Sequence, residues 1–284
     1  MTANLGISQP VKIATTGATA AAPVVSERRM PTIAVVMPAF NEADRIEQTI
    51  RSLARYRAGG APIGPIVVAD DGSSDATADV AASAAREAGL PLEIIRSPHR
   101  GKALTVRSAM LLVAARGETE YVMMLDADDE LGIDQLDRVA WSADPSVIYI
   151  GRRVDAIGEA IGTRPSFIRR LMSTTMRTAS RLLLGIRFPD TQCGFKLFPT
   201  PLVVPLFEQQ RSATWTFDAE LLFIADRVSG IPIHEVPVVW EPRGTSRVRP
   251  LAAVISGLTM FAVASRRVRR GYRPIRSGST RRGS

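Results

Sequence analysis

The 284-residue chain is 45% hydrophobic and 23% charged, which excludes a disordered or fibrous polypeptide and leaves room for one large core. A single cysteine, Cys193, excludes an internal disulfide and fits a reducing compartment. The net charge of +8 is concentrated at one end: eleven arginines and no acidic residue lie from Arg243 onward, and subtracting them leaves the preceding chain at −3. Aromatics are only 6% and do not interleave with those arginines, so no nucleic-acid partner is expected and an anionic membrane surface is the better match.

Residues 1–30 are rich in Ala, Thr, Ser and Gly, show no hydrophobic period and lack a basic n-region, so a disordered leader without a signal peptide is expected. Ile33–Pro38 is a β-branched run of strand length, and Ile46, Ile50 and Leu53 fall at helical spacing within 45–57. Pro65–Ala69 predicts a second strand, and the following helix, 76–88, is expected to be capped by Ser73, Ser74 or Asp75. Leu92–Arg96 reads as a third strand, His99–Lys102 as the opening of a helix to about Ala115, and Tyr121–Leu125 as a fourth strand. Such alternation predicts right-handed βαβ units on a mostly parallel sheet, an α/β fold flanked by helices.

Each polar cluster follows a strand: Phe40–Glu42, Asp70–Asp75 and Asp126–Asp129. Parallel strands bring their C-terminal ends to one edge, where open α/β sheets keep their ligands. Asp126 and Asp128 stand at i and i+2, and strand alternation would point both the same way. Two hard oxygen donors there suit a divalent metal on a diphosphate, although one such pair alone is equally an Asp-rich loop before a helix.

In the second half, Val147–Ile150 predicts a strand leading to Arg152 and Arg153. Ser166–Leu184 has the pattern of a basic amphipathic helix, and Ala219–Val228 of a helix with Asp218 at its start, after an aromatic strand. Asp218 is there either an N-cap or a candidate general base. Cys193 and His234 read as structural, and His99 as a residue that approaches phosphate. Leu251–Ser265 is uncharged but too short for the ~20 residues of a bilayer span. With Arg266, Arg267, Arg269 and Arg270 next, residues 249–270 are expected to form an interfacial helix, and 271–284 a disordered basic tail.

Val36–Glu42, Ala69–Asp75, Arg100–Lys102 and Leu125–Asp128 together resemble the nucleotide-sugar half of family-2 glycosyltransferases with the GT-A fold. Phe188–Phe198, Thr214–Leu222, Glu235–Trp240 and Gly244–Val248 extend the resemblance to dolichyl-phosphate β-glucosyltransferases, and less closely to dolichyl-phosphate mannose synthases. It implies one GT-A domain over 31–248, with a nucleotide-sugar half at 31–130 and an acceptor half at 145–248. By that resemblance Pro38, Ala39, Phe40 and Glu42 line the nucleobase and ribose pocket, and Asp70 or Asp71 bonds the base. Lys102 lies near the diphosphate, and Asp126, Ala127 and Asp128 hold the nucleotide-sugar. Mg2+ or Mn2+ would sit on Asp126 and Asp128, with Glu130 standing where the mannose synthases carry a metal-binding Gln. Arg152, Arg153, Gln192 and Arg247 would hold phosphates on the acceptor side. The implied reaction is inverting transfer from a UDP-sugar, glucose above all, to a polyprenyl or dolichyl phosphate by a peripheral enzyme at the cytoplasmic face of a membrane. The alternative acceptor is a sugar hydroxyl, with Asp218 as base.

Overall fold

The structure is a computed structural model, and it describes residues 29–154, 184–241 and 271–275. Outside these lie the expected leader up to residue 28, nearly all of the expected 166–184 helix, Arg247, the expected interfacial helix over 249–270, and residues 276–284.

Among the described residues, seven strands form one sheet: β1 (Ile33–Ala39), β2 (Ile63–Asp70), β3 (Glu93–Arg96), β4 (Tyr121–Leu125), β5 (Ile148–Val154), β6 (Phe195–Pro199) and β7 (Ile233–Val239). Their order is β3-β2-β1-β4-β6-β5-β7. All neighbours are parallel except β6, which runs antiparallel between β4 and β5. The reversal of β6 places its first residues at the same sheet edge as the C-terminal ends of β4 and β5.

Among the described residues, five α-helices flank the sheet: α1 (Ile46–Ala58), α2 (Thr77–Glu87), α3 (Lys102–Arg116), α4 (Thr200–Phe207) and α5 (Phe217–Phe223). Strand alternation divides the core in two. Ile33, Val35 and Met37 pack with Ile46, Ile50 and Leu53 of α1 and with Ala81 and Ala84 of α2. Ala34 and Val36 pack on the other face with Val106 and Met110 of α3, Leu206 of α4 and Leu222 of α5. Because both faces are covered, the strands read as unbroken apolar runs rather than alternating ones.

The chain returns to this body at its far end. The disorder expected from Gly271 does not hold for 271–275, because Tyr272 is buried and edge-on to Phe223 with ring centroids 6.0 Å apart. Among the described residues, no helix is long and apolar enough to cross a membrane.

Candidate active site

The strand-end clusters do converge, and hydrogen bonds stitch them together. Asn41 N–H donates to Ser73 Oγ (2.9 Å), Ser74 N–H to Asn41 Oδ1 (2.8 Å), and Glu42 N–H to Thr77 Oγ1 (2.8 Å). Thr49 Oγ1 on α1 donates to Ala127 O at 3.0 Å, fixing the backbone of the D-x-D turn. Two non-glycine residues adopt left-handed backbone, Asn41 (φ 56°) and Asp129 (φ 54°), and both lie in these clusters. Asn and Asp are the side chains that tolerate that region best, and such strain gathers at functional sites.

Asp70 and Asp71 are buried and hold local backbone. Asp70 Oδ1 accepts from Ser73 N–H, ordinary turn chemistry. Asp71 accepts from the Arg100 and Gly101 N–H groups (2.9 Å each) and from Thr105 Oγ1 (2.7 Å), with His99 Nδ1 at 2.9 Å. It thereby shapes the turn that opens α3. His99 stacks on Phe40 with centroids 4.2 Å apart and planes 24° from parallel. His99 thus sits beside the aromatic face expected to meet a nucleobase, not the phosphate region assigned from its place before Gly101. Pro38 and Ala39 end β1, and Glu42 is ion-paired with Arg45 at 2.7 Å. The cap expected for α2 is present one residue early: Asp75 Oδ1 accepts from Thr77 N–H.

At the end of β4, Lys102 Nζ lies 2.5 Å from Asp126 Oδ1, and both side chains stay partly exposed. Burial favours the neutral forms, but the pair overcomes it, raising Lys102 and lowering Asp126. Asp128 is pushed up to about 6 by burial and by the charges of Asp126 and Glu130. Asp126 and Asp128 do not lie on a pleat: β4 stops at Leu125, and residues 127–128 form a turn that is followed by left-handed Asp129. Gly194, just before β6, completes the fit. Its carbonyl accepts from Asp126 N–H (3.2 Å), and a Cβ there would collide with the Asp126 carboxylate.

Behind this pair is a second, fully buried one. Lys196 Nζ stands 2.9 Å from Asp218 Oδ1 and donates to Cys193 O at 2.5 Å. Asp218 is not an N-cap: Thr216 holds that position, and Asp218 turns from the first turn of α5 toward Lys196. The expected aromatic strand before it is a loop. Burial raises Asp218, opposed by Lys196 and Lys102. Lys196 escaped the sequence reading, yet a lysine inside the apolar run Phe195–Phe198 is a signal, since buried lysines require partners. Cys193 is buried with its thiol pushed up to about 12 by burial, in keeping with a packing role, and His234 packs edge-on to Tyr149.

The acceptor-side residues are only partly assembled. Arg153 Nε and Nη2 form a fork with Asp190 at 2.8 Å each, below the Trp240 ring (5.8 Å). Alternation along β5 puts Arg152 on the opposite face, near Glu235. Gln192 Nε2 donates to Trp215 O at 3.3 Å. Trp215, absent from the sequence reading, is exposed and faces Lys102 Nζ at 5.4 Å.

Among the described residues, no three His, Cys, Asp or Glu side chains form a ready-made metal group. The donor set nevertheless fits a hard divalent cation. Asp128 is crowded by Asp126 and Glu130, which is negative charge that a cation would relieve. Glu130 Oε2 accepts from Trp240 Nε1 at 2.8 Å, which holds its carboxylate beside the turn.

Comparison with known proteins agrees with this geometry. Residues 34–200 match the family model described as "Glycosyl transferase family 2". A dolichyl-phosphate beta-glucosyltransferase of Drosophila melanogaster is 31% identical over 236 residues, covering 77% of this chain and 69% of the relative. The Homo sapiens protein of that name is 30% identical over 77% of this chain and 70% of the relative. Among solved structures, glucosyl-3-phosphoglycerate synthase from Mycobacterium tuberculosis, in complex with Mn2+, UDP-glucose and phosphoglyceric acid, superposes with TM-score 0.58 at 19% identity, covering 87% of this chain and 82% of that one. That is a likeness of fold, the GT-A fold.

Proposed function

The chain belongs to glycosyl transferase family 2 and is a glycosyltransferase, and from that premise we propose that it transfers a hexose, glucose in the first instance, from a UDP-sugar to a polyprenyl phosphate at a membrane surface. The observation that carries this reading is the meeting of Lys102, Asp126 and Asp128 at one sheet edge, beside the Phe40–His99 stack. An aromatic slab, a cation and two carboxylates in that order suit a nucleobase followed by a diphosphate. The lipid acceptor rests on the relatives, which are named dolichyl-phosphate beta-glucosyltransferases.

Asp126 and Asp128, with Glu130 adjoining, would hold Mg2+ or Mn2+, which supplies charge neutralisation for the diphosphate leaving group. Lys102 supplies the chain's own cation there. An oxygen of the acceptor phosphate attacks the anomeric carbon as the bond from that carbon to the UDP oxygen breaks, with inversion. The acceptor is already anionic near neutral pH, so no general base is required. The alternative, a hydroxyl acceptor served by Asp218, has less support, because that carboxylate is buried and held by Lys196. Incubating the protein with a panel of radiolabelled nucleotide sugars and polyprenyl phosphate, with EDTA as control, tests the reading. UDP-glucose should label the organic phase in an EDTA-sensitive way, and absence of transfer from every donor would refute it.

A further inference from the structure

Among the buried acids that the mechanism does not use is Glu220. Glu220, on α5, is fully buried and accepts from the N–H groups of Arg211 (3.0 Å) and Ser212 (2.8 Å), at the head of the loop that carries Trp215. Its place as the fourth residue of α5, in the first turn, does not explain what holds it in place. The C-terminal segment does: Tyr272 O–H donates to Glu220 Oε1 at 2.5 Å, and Arg211 lies over the Tyr272 ring at 4.8 Å while donating to Gly271 O at 2.9 Å. Two more bonds moor the segment, Arg273 N–H to Gln209 Oε1 (2.6 Å) and Ile275 N–H to Ser229 Oγ (3.1 Å).

From this loop the contacts lead on to the donor station. Gln210 Nε2 donates to both Ser212 O (3.0 Å) and Ala103 O (3.1 Å), tying the loop to the first turn of α3, where Lys102 stands. Ser212, Thr214 and Thr216 share hydroxyl hydrogen bonds, and Trp215 between them is presented to Lys102. An exposed indole on so heavily bonded a loop is positioned, not merely tolerated.

We infer that Tyr272 is a positioning residue for the donor site: through Glu220 it sets the 211–216 loop, and so the placement of Trp215 and Lys102. The inference rests on reading Lys102–Asp126 as the diphosphate station. The test is Tyr272→Phe, which keeps the ring between Phe223 and Arg211 and deletes only the hydroxyl, so the fold is retained by circular dichroism. Hydrogen exchange at the Arg211 and Ser212 amides should accelerate by about tenfold while exchange in β1 and β4 is unchanged. Donor KM should rise about fivefold with kcat within about twofold, and the lipid-phosphate KM should not move. Tyr272→Ala should repeat the pattern more strongly. Unchanged exchange overturns the inference, as does faster exchange with an unaltered donor KM. If the wild type transfers no sugar, the proposed function fails by itself. Exchange at 211–216 then decides about the brace: acceleration supports it and no change overturns it.

Discussion

At the level of single residues, the site depends on one missing side chain and two ion pairs, one partly exposed and one buried. Gly194→Ala would drive a methyl group into the Asp126 carboxylate. Displacement of a catalytic group by about 1 Å commonly costs about 100-fold, so kcat/KM should fall by about that factor with the circular dichroism spectrum unchanged. Asp218→Asn removes the partner of Lys196, a side chain 1% exposed. Breaking a buried pair on one side costs about 3–5 kcal/mol, and denaturant unfolding should show a loss of that order. Replacing both partners, as Lys196→Met with Asp218→Leu, should recover much of it. Transfer activity in the double variant would then separate a structural Asp218 from a catalytic one, which Asp218→Asn alone does not. The motif residues were legible in the sequence because each stands directly after an apolar strand. Partnerships were not: Lys196 and Asp218 lie 22 positions apart and meet only because β6 reverses beneath α5.

At the level of elements, the first four strands and three helices follow the hydrophobic period closely, since each is a local apolar pattern packed on the core. β6 did not announce itself, because Phe195–Pro199 contains a lysine and ends in proline, and only insertion between β4 and β5 makes it a strand. The D-x-D turn shows the same limit. Residue spacing suggested a pleat, while residues 127–128 form a turn. The link between β5 and the segment before β6 is electrostatic, the Arg153–Asp190 fork. Burial opposes ionisation of Asp190, but the hydrogen bonds and charge of Arg153 prevail and hold its carboxyl below the ordinary range. A lowered folded pKa stabilises above the unfolded value, about 4, and that contribution is lost as pH falls through the folded one. Acid titration should therefore show wild type more stable than Asp190→Asn at pH 5 to 7, with the gap closing only below about pH 4.

At the level of the whole molecule, the chain places the residues proposed to hold the nucleotide-sugar at the ends of β1, β2 and β4, and brings Arg153, Asp190, Gly194 and α5 to the same edge from its second half. Most of the arginines from Arg243 onward lie outside the described residues, and a peripheral hold of theirs on anionic lipid would bring the enzyme to a lipid acceptor. If so, sedimentation with vesicles should require anionic lipid and weaken with salt, whereas binding to neutral vesicles alone would contradict that picture. The central claim is that the strand-end carboxylates and Lys102 release UDP as a lipid phosphate takes the sugar. Label transfer from UDP-[14C]glucose to polyprenyl phosphate, compared between wild type and Asp128→Asn, tests it most directly. Organic-phase label is expected with wild type and about 100-fold less with Asp128→Asn. Equal transfer by the two proteins, or label confined to a water-soluble acceptor, would contradict it.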